Sequence, residues 1–370
     1  GIIFSSEMQS LRNLNLVDNK ISNKKLLEFL ELQYCSGRGT IHENIHRIRP
    51  GEILMIQNGR IQKSELQKFP KKTTIKKNVD SNFIQKNISE SISVHLRSDV
   101  PYCLFFSGGI DSGSLLVLLH HSLMTRGESP QRLKAFTLSI HEEGADLLQA
   151  KEFLQRVNME YLLEVIKVAP AEINIADAIQ TIEDYKPLDV QAAAATLALC
   201  RSIRKRYPSW RYLIDGDGGD ENLKDYPIEE NPELTVRSVL NNLMLYQEGW
   251  GVDAIKHSLT YSGGQSRGHV RTYAPATTLG FRGFSPYALP NVIEVAEGIP
   301  FIELTDWDHS RLYALKGEII RRGIRQLTAI DIPIFEKRRF QEGVATTGTF
   351  ETLFPNDPSI YRQIFHDIWS

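Results

Sequence analysis

Hydrophobic and polar positions follow one pattern in the first 75 residues and a different one afterwards. In residues 1–75 a short apolar run predicts a strand at Ile2–Phe4, and apolar residues at helical spacing predict a short helix over Lys24–Tyr34. The run Gly51–Ile56 leads into Asn58-Gly59, a pair that favours the two-residue turn of a hairpin. We therefore expect a small β-rich domain over residues 1–75.

After the polar stretch Lys71–Asp80, short apolar runs alternate with segments at helical spacing. The expected elements are helix Phe83–Arg97, strand Tyr102–Phe106, helix Ser114–Leu123, strand Lys134–Ile140, helix Leu147–Val157, strand Leu162–Val168, helices Ile173–Tyr185 and Gln191–Lys205, and strand Tyr212–Asp215. Such alternation is typical of a parallel sheet with helices on both faces. The sequence thus predicts an α/β fold over residues 80–370, with a mostly helical part from Pro232 onward.

The composition is that of an ordinary globular protein, with 41% hydrophobic and 24% charged residues and a net charge of -2. Nothing in this balance suggests affinity for a nucleic acid or a membrane surface. No run approaches the ~20 apolar residues that span a bilayer, and no signal-peptide pattern opens the chain. The widely spaced Cys35, Cys103 and Cys200 give neither a disulfide framework nor zinc spacing. We expect a cytoplasmic protein without nucleic-acid or membrane partners.

The sharpest chemical signal is Ser107–Ser112, Ser-Gly-Gly-Ile-Asp-Ser, between an expected strand and an expected helix. Its glycines let the backbone approach an anion closely, and the helix N-terminus supplies amide donors for phosphate. Asp111 fits such a site if a divalent cation lies between it and the phosphates. The loop lacks the Gly-Lys-Ser/Thr of a Walker A loop and the glycine spacing of the dinucleotide fingerprint. It predicts a magnesium–nucleotide site, whereas the second Ser-Gly-Gly, at Ser262–Gly264, lacks the acid and predicts a turn.

A second acidic loop, Asp215–Glu221, directly follows an expected strand and reads Asp-Gly-Asp-Gly-Gly-Asp-Glu. Open α/β sheets bind ligands at the carboxyl ends of their strands. The spacing of its acids differs from that of an EF-hand calcium loop. We therefore expect this loop to supply a second carboxylate arm to the magnesium site.

The order and spacing of these segments resemble the asparagine synthetase family over essentially the whole chain. Ser107–Ser112 is similar to its pyrophosphate loop, S-G-G-x-D-S, and Asp215–Glu221 to its second loop, S-G-E-G-x-D-E, in which Asp sometimes replaces the first Glu. Phe335–Val344 resembles its C-terminal Lys-containing segment. Phe4–Leu11 and Ile48–Gly51 resemble the last strands of its N-terminal glutaminase domain.

The resemblance implies a fold and an activity. The fold is an adenine-nucleotide α-hydrolase-like synthetase domain over residues 80–370, preceded by the β-rich remnant of an Ntn-type glutaminase domain over residues 1–75. The activity is that of an ATP-dependent carbon–nitrogen ligase, which uses ATP and Mg²⁺, forms an acyl-adenylate with release of pyrophosphate, and passes the acyl group to an amine. Relatives with this chemistry include β-lactam synthetases and lasso-peptide cyclases.

The resemblance also implies roles for individual residues. Asp111 and Asp220 hold Mg²⁺ on the ATP phosphates. Lys337 neutralises the charge that develops at the α-phosphate and the acyl centre, and Asp217 orients or deprotonates the amine. The residues that cradle the nucleotide phosphates, together with Asp111, are Ser107, Gly108, Gly109, Ser112 and Gly218.

Two departures from the family pattern bear on the substrate. The chain opens at Gly1 without the Cys nucleophile of a glutaminase, which indicates a piece of a longer protein and leaves room for a separate glutaminase-like chain as a partner. In addition, aspartate-specific members carry G-x-E-A-R-x-P-F-L-D where this chain has Gly280–Leu289, so their Glu, Arg and Asp become Arg282, Phe284 and Leu289. We therefore expect a small-molecule or peptide carboxylate other than aspartate, or an amine other than ammonia.

Two alternatives remain open from the sequence. The chain is an asparagine synthetase whose glutaminase half is missing here, or a non-catalytic nucleotide-binding protein that kept the fold. The acids Asp111 and Asp220, present together with Lys337, favour the catalytic hypotheses over the second alternative.

Overall fold

A computed structural model gives the architecture of the chain. It describes residues 1–14, 20–32, 35, 38–48, 52–66, 82–96, 100–140, 144–223, 261–262, 265–266, 269–297, 299, 304–306, 308, 311–336, 343–345 and 347–369. The polar stretch at the expected domain boundary lies outside these residues.

The N-terminal part is small and contains an antiparallel hairpin, as predicted. Strands β1 (Glu52–Gln57) and β2 (Arg60–Leu66) pair on either side of Asn58 and Gly59, whose φ angles of 52° and 71° match the expected turn. Helices α1 (Met8–Asn13) and α2 (Asn23–Leu32) precede the hairpin. The prediction of a strand at Ile2–Phe4 is wrong, because this exposed segment pairs with no described strand.

The central sheet consists of the five parallel strands β3 (Tyr102–Phe105), β4 (Leu133–Ile140), β5 (Leu163–Val168), β6 (Tyr212–Ile214) and β9 (Arg282–Phe284). Their order across the sheet is β5-β4-β3-β6-β9. The chain builds outward from β3 to β5 and then returns to place β6 on the other side of β3. This reversal is a topological switch point, the place where open α/β sheets bind ligands.

Helices cover both faces of the sheet. They are α3 (Asn82–His95), α4 (Ile110–Thr125), α5 (Ala145–Arg156), α6 (Ile175–Ile182), α7 (Pro187–Arg206) and α8 (Gly219–Leu223). Alternation along β3 shows the two layers: Tyr102 and Leu104 lie in the cluster with α3 and α4, whereas Cys103 lies in the cluster with α7. Among the described helices, none combines the length and the apolar character that crossing a bilayer requires.

The described residues after Pro232 are mostly helical, as predicted, and also contain three short strands. The described elements are strands β7 (Tyr261–Ser262) and β8 (Gln265–Ser266), a π-helical turn (His269–Tyr273), α9 (Ala274–Thr278), β9, α10 (Pro290–Glu297), α11 (Leu312–Thr328), α12 (Thr347–Leu353) and α13 (Pro358–Trp369). Antiparallel pairing of β7 with β8 agrees with the turn predicted at the second Ser-Gly-Gly. The edge strand β9 escaped prediction because it has only three residues, one of them Gly283.

The predicted α/β class is confirmed by the parallel sheet and its flanking helices. One expected helix is shorter than its pattern suggested. Of the segment Ile173–Tyr185, only Ile175–Ile182 is α-helical, since Asn174 caps its start and Glu183 ends it in the left-handed conformation at φ 55°.

Candidate active site

Two loops meet where the strand order reverses. One follows β3 and leads into α4, and the other follows β6 and leads into α8. Because β3 and β6 are parallel neighbours, their carboxyl ends lie at the same edge of the sheet. The two motifs singled out in the sequence are therefore brought together by the fold.

The first loop is closed by its own hydroxyl groups. The Gly109 amide donates to Ser107 Oγ at 3.3 Å, and Ser112 Oγ donates to the Gly109 carbonyl at 3.3 Å. Gly109 is the N-cap of α4 and provides no side-chain hydrogen bond to the amides of the first turn. These amides and the positive end of the helix dipole therefore suit a phosphate group.

Gly108 is required by the path of the backbone. Its φ of +74° lies in the left-handed region, which glycine adopts without strain. A Cβ atom at this position would lie 2.8 Å from backbone atoms of Gln149 and Ala150 in α5. The Gln149 side chain also donates to the Ser107 carbonyl at 3.2 Å. The first loop thus packs directly against α5.

A buried lysine bridges one acid from each loop. Lys316 Nζ in α11 lies 2.7 Å from Asp111 Oδ2 and 2.7 Å from Asp220 Oδ1. The lysine side chain is fully buried, whereas those of Asp111 and Asp220 are 17% and 34% exposed. We call Asp111 and Asp220 the lysine-bridged acids. One cation therefore contacts both carboxylates at the same time.

The residues present fit a divalent cation. Carboxylate oxygens are preferred ligands of Mg²⁺, which is commonly held by one or two carboxylates together with water and substrate phosphates. The shared contact with Lys316 shows that Asp111 and Asp220 converge on one point. Within the described residues there is no group of three or more His, Cys, Asp or Glu side chains around a common point, so these residues offer two carboxylates there.

Close packing brings the second loop against Asp111. A Cβ atom on Gly219 would lie 2.4 Å from Asp111 Oδ1, so only glycine fits between them. Gly218, which was predicted to bind phosphate, has a φ of +88° and forms the turn before α8. The glycines of this loop thus serve a tight turn and a close approach to the acid.

Two further acids of the second loop, Asp215 and Asp217, form a carboxyl pair. The Asp217 amide donates to Asp215 Oδ1 at 3.3 Å, so the backbone of one acid contacts the carboxyl group of the other. Tyr273 Oη donates to Asp215 Oδ1 at 3.1 Å, and Thr272 Oγ1 donates to Asp217 Oδ2 at 2.8 Å. Asp215 is buried and Asp217 is half-buried.

Both carboxyl groups of the pair hold their protons more tightly than usual. Burial, followed by repulsion from Asp217, raises the pKa of Asp215 well above its ordinary value. Burial also raises the pKa of Asp217, although the Thr272 hydroxyl and the Arg271 charge oppose this effect. Such acids are suited to accept a proton near neutral pH.

The segment Gly280–Leu289, in which we expected substrate recognition, places the residues that replace the family's charged positions on the core or the surface. The Phe284 ring stacks on His95 with centroids 4.2 Å apart, Leu289 packs on the core, and Arg282 is exposed. The neighbouring Ser285 is buried, and its hydroxyl donates to the carbonyl groups of Asp215, at 3.4 Å, and of Asp217. From this segment, the Ser285 side chain contacts the second loop.

Sequence reasoning identified some members of the site and missed others. Ser107, Gly108, Gly109, Asp111, Ser112, Asp217, Gly218 and Asp220 all lie at the meeting point of the two loops. Lys337 lies outside the residues that the structure describes. Lys316 was missed, although its position four residues after buried Leu312 and four before buried Ile320 puts a charge on an apolar helix stripe.

Fold and geometry together define an α/β protein in which two acidic, glycine-rich loops meet at the switch point of a parallel sheet. Residues 84–275 match the family model described as Asparagine synthase, and residues 1–85 match a glutamine amidotransferase domain. The first match covers more than half of the 370 residues, so the chain belongs to the asparagine synthase family. This is a family of ATP-dependent ligases.

Curated relatives agree with the family match. The chain is 26% identical to asparagine synthetase B [glutamine-hydrolyzing] of Escherichia coli (strain K12), over 55% of this chain and 40% of the relative. It is 25% identical to asparagine synthetase [glutamine-hydrolyzing] 1 of Bacillus subtilis (strain 168), over 66% and 38%. A protein named amidase chyE, of Penicillium rubens, is 26% identical over 50% and 30%. The matched region spans about two fifths or less of these relatives.

Proposed function

We propose that this chain is an ATP-dependent amide-bond-forming ligase, which activates a carboxylate as its acyl-adenylate and transfers the acyl group to an amine. The observation that carries this proposal is the meeting of a phosphate-type loop, two convergent acids and a buried carboxyl pair at one sheet edge. The first two features suit a nucleotide, and the third suits proton transfer.

The nucleotide half of the site is assigned to the first loop and the lysine-bridged acids. The hydroxyls of Ser107 and Ser112, with the amides at the start of α4, face the ATP phosphates in this proposal, and Gly108 and Gly218 permit a close approach. Asp111 and Asp220 hold Mg²⁺, which when bound neutralises charge on the phosphate oxygens.

The proposed reaction has two displacement steps. In the first, a carboxylate oxygen of the substrate attacks the α-phosphorus of ATP, the bond to the bridging oxygen breaks, and pyrophosphate leaves. In the second, the amine nitrogen attacks the acyl carbon, the carbon–oxygen bond to AMP breaks, and the proton of the amine passes to Asp217. The amide, AMP and pyrophosphate are the products.

The role of Lys337 in this proposal rests only on its position in the C-terminal motif. A lysine there would neutralise the charge that develops at the α-phosphate and the acyl centre. Lys337→Met is expected to lower kcat by a factor that corresponds to about 3 kcal/mol, the usual effect of removing one such donor. An effect confined to KM would instead make Lys337 a substrate-binding residue.

The proposed substrates are a small-molecule or peptide carboxylate and an amine, other than the pair aspartate and ammonia. Replacement of the family's Glu, Arg and Asp by Arg282, Phe284 and Leu289 supports a substrate other than aspartate. Asparagine synthesis is the second candidate, favoured by the names of the two bacterial relatives. A non-catalytic nucleotide-binding role is the least favoured, since the acids of both loops are present in contact geometry.

A glutaminase-like chain is the proposed protein partner. The amidotransferase-domain match over residues 1–85 supports it, together with apolar side chains exposed on the N-terminal part. Phe4 is 76% exposed and Met55 57% exposed, and Ile3 and Ile53 are also exposed. Apolar surface of this kind is typical of contacts with another domain or chain.

Pyrophosphate release tests the proposed function. The full chain is incubated with Mg-ATP and a panel of carboxylates, each with and without a panel of amines that includes ammonium, and products are identified by mass spectrometry. Release with a carboxylate other than aspartate is the expected result. Release with aspartate and formation of asparagine would establish the second candidate, and ADP as the product would refute the adenylate route.

A further inference from the structure

The carboxyl group of Asp217, which takes the proton of the amine in the proposed reaction, is held by a residue from outside its own loop. Thr272 Oγ1 donates to Asp217 Oδ2 at 2.8 Å, and the Thr272 side chain is buried. The Ser285 hydroxyl donates instead to the backbone carbonyl of Asp217. Thr272 thus contacts the carboxyl group itself, and the position of this hydroxyl bears directly on the direction in which the carboxyl group points.

Thr272 belongs to the π-helical turn His269–Tyr273, a geometry that recurs at functional sites. Neighbouring residues of this turn have different partners. Val270 lies in the same buried cluster as Val190 of α7, whereas Thr272 contacts the second loop. The turn therefore connects α7 to the acid that accepts the proton.

A salt bridge links the turn to the start of α7. Arg271 Nε, directly before Thr272 in the chain, lies 2.6 Å from Asp189 Oδ1. The Asp189 side chain is 1% exposed and that of Arg271 is 24% exposed. Apolar packing such as that of Val270 is non-directional, whereas a hydrogen-bonded ion pair of an arginine with a carboxylate has a defined geometry. The salt bridge therefore fixes the orientation of the turn on α7.

The location of Asp189 suits an anchor. It is the third residue of α7, a helix of 20 residues that is mostly buried, and the positive end of the helix dipole favours an acid in the first turn. Buried salt bridges often add little net stability compared with well-packed apolar residues. Because the cation of this pair is adjacent in sequence to the residue that holds Asp217, the pair is better explained by the geometry that it imposes.

We propose that Asp189 is a positioning residue for amide transfer, which fixes the π-helical turn through Arg271 so that Thr272 holds the Asp217 carboxyl group in place. This inference rests on the proposed ligase function. As the amine nitrogen forms its bond to the acyl carbon and the bond to AMP breaks, the N–H proton passes to Asp217. Asp189 acts through two intermediate residues and takes no part in making or breaking bonds.

Asp189→Ala removes the anchor, and the two steps of the reaction report the effect. With the carboxylate and amine that the wild type uses, we expect amide transfer to slow at least about tenfold and pyrophosphate release to change less than about threefold, because a displaced base loses part of its usual contribution. Asp184→Ala is the matched control, since Asp184 is also buried and is paired with Lys186 just before α7. Equal slowing of both steps in Asp189→Ala, or the same selective slowing in Asp184→Ala, would overturn the proposal.

Thr272 provides a milder test of the same route. Thr272→Val removes the donor to Asp217 at nearly constant shape and should slow amide transfer about as much as Asp189→Ala, whereas Thr272→Ser keeps a hydroxyl and should retain most of the rate. The double variant Asp189→Ala/Thr272→Val should be about as slow as the slower single variant, because both changes act on one contact. Losses that multiply in the double variant would show that Asp189 acts by another route. If Asp189→Ala does not fold, Asp189→Asn takes its place, with a smaller loss in the same direction.

A measurement without substrate separates failure of this inference from failure of the proposed function. In a crystal structure of the Asp189 variant, the distance from Thr272 Oγ1 to Asp217 Oδ2 should increase beyond about 3.5 Å, whereas Asp184→Ala should leave the hydrogen bond intact. An intact hydrogen bond in the Asp189 variant would overturn the inference. If the wild type releases no pyrophosphate with any substrate while this bond is lost in the variant, the positioning role stands and the ligase assignment falls.

Discussion

The second loop presents acids in two different environments only a few residues apart. Asp220, together with Asp111, contacts the buried ammonium group of Lys316 at 2.7 Å. Asp215 and Asp217 are held instead by the neutral hydroxyls of Tyr273 and Thr272. One environment neutralises carboxylates with a full positive charge, and the other leaves them to repel each other.

This difference assigns different chemistry to each group. Acids that converge on a cation are suited to hold a metal on a nucleotide phosphate. Acids held by neutral donors in a buried place have a raised pKa and are suited to take up a proton. The second loop thus contributes both to a charged site suited to a metal ion and to a site suited to proton transfer.

The largest effect expected from breaking this contrast is that of Asp111→Asn. Loss of the charge that holds the divalent cation should reduce pyrophosphate release at least about 10³-fold. The fold should survive, because Asp111 lies in a loop-to-helix junction and its side chain is 17% exposed. Circular dichroism and pyrophosphate release measured on the same preparation check both parts.

Asp217→Asn is the matched variant for the other group of acids. It should retain much of the pyrophosphate release and lose amide transfer by about 10²-fold or more. If both variants lost the same step, the division of labour between the two groups of acids would be wrong.

Lys316→Met should have the next largest effect, on stability. Removal of the ammonium group leaves Asp111 and Asp220 facing each other, which should cost about 3 kcal/mol of unfolding free energy, at the low end for a broken buried pair because Asp220 is 34% exposed. Thermal unfolding with and without Mg²⁺ checks the cause. The cation should stabilise Lys316→Met much more than wild type, because it takes the place of the missing charge.

Arg321→Met, in the same helix, provides the control. Arg321 pairs with Asp331 on the surface, and surface ion pairs contribute ~0–1 kcal/mol. A variant at Lys316 that lost no more stability than this control, or gained none from Mg²⁺, would refute the view that the two carboxylates converge on a cation site.

The lysine-bridged acids also show how far sequence reasoning reaches. Asp111 and Asp220 were predictable because each lies in a glycine-rich motif directly after a strand, and parallel strands bring such loops to one edge. Lys316 was harder to predict, since a single lysine within a helix is usually solvated. Its position on the apolar stripe of α11 indicates burial, but its two carboxylate partners depend on tertiary contact between α11 and both loops.

The carboxyl pair was predictable only in part. Asp217 could be placed by the family motif, but its neighbours Thr272 and Tyr273 come from a π-helical turn more than 50 residues later in the chain. Phe284 is the reverse case, because the sequence suggested a role that its observed contact does not support. A changed residue in a motif suggested substrate contact, whereas the structure stacks its ring on His95.

A smaller effect is expected from Gly108→Ala, which tests how the first loop is seated. A positive φ costs alanine about 1 kcal/mol, and contact of its Cβ with the α5 backbone at 2.8 Å should bring the total to about 2–3 kcal/mol. Chemical denaturation measures the loss. Gly127→Ala isolates strain, because Gly127 has a φ of +69° and open space around it. Equal losses in the two variants would show that the contact with α5 contributes nothing.

Tyr273→Phe should have the smallest effect. It tests the acids that are held by neutral hydroxyls, whereas Lys316→Met tests those held by a positive charge. The phenol donates to Asp215 at 3.1 Å, and its loss should change stability by about 1 kcal/mol, or about fivefold in the folding equilibrium.

The sign of the pH effect follows from the lost donor. A hydrogen bond to a carboxylate lowers its pKa, so the variant should have a still higher pKa in the carboxyl pair. Its stability should fall more steeply than that of wild type as pH rises above the ordinary carboxyl pKa, and the acid limb of amide transfer should move to higher pH. Tyr161→Phe removes an exposed phenol that bonds His120 at 2.7 Å and provides the control. A shift to lower pH in Tyr273→Phe would mean that the pair is held by the turn in a different way, with the phenol favouring its protonated form.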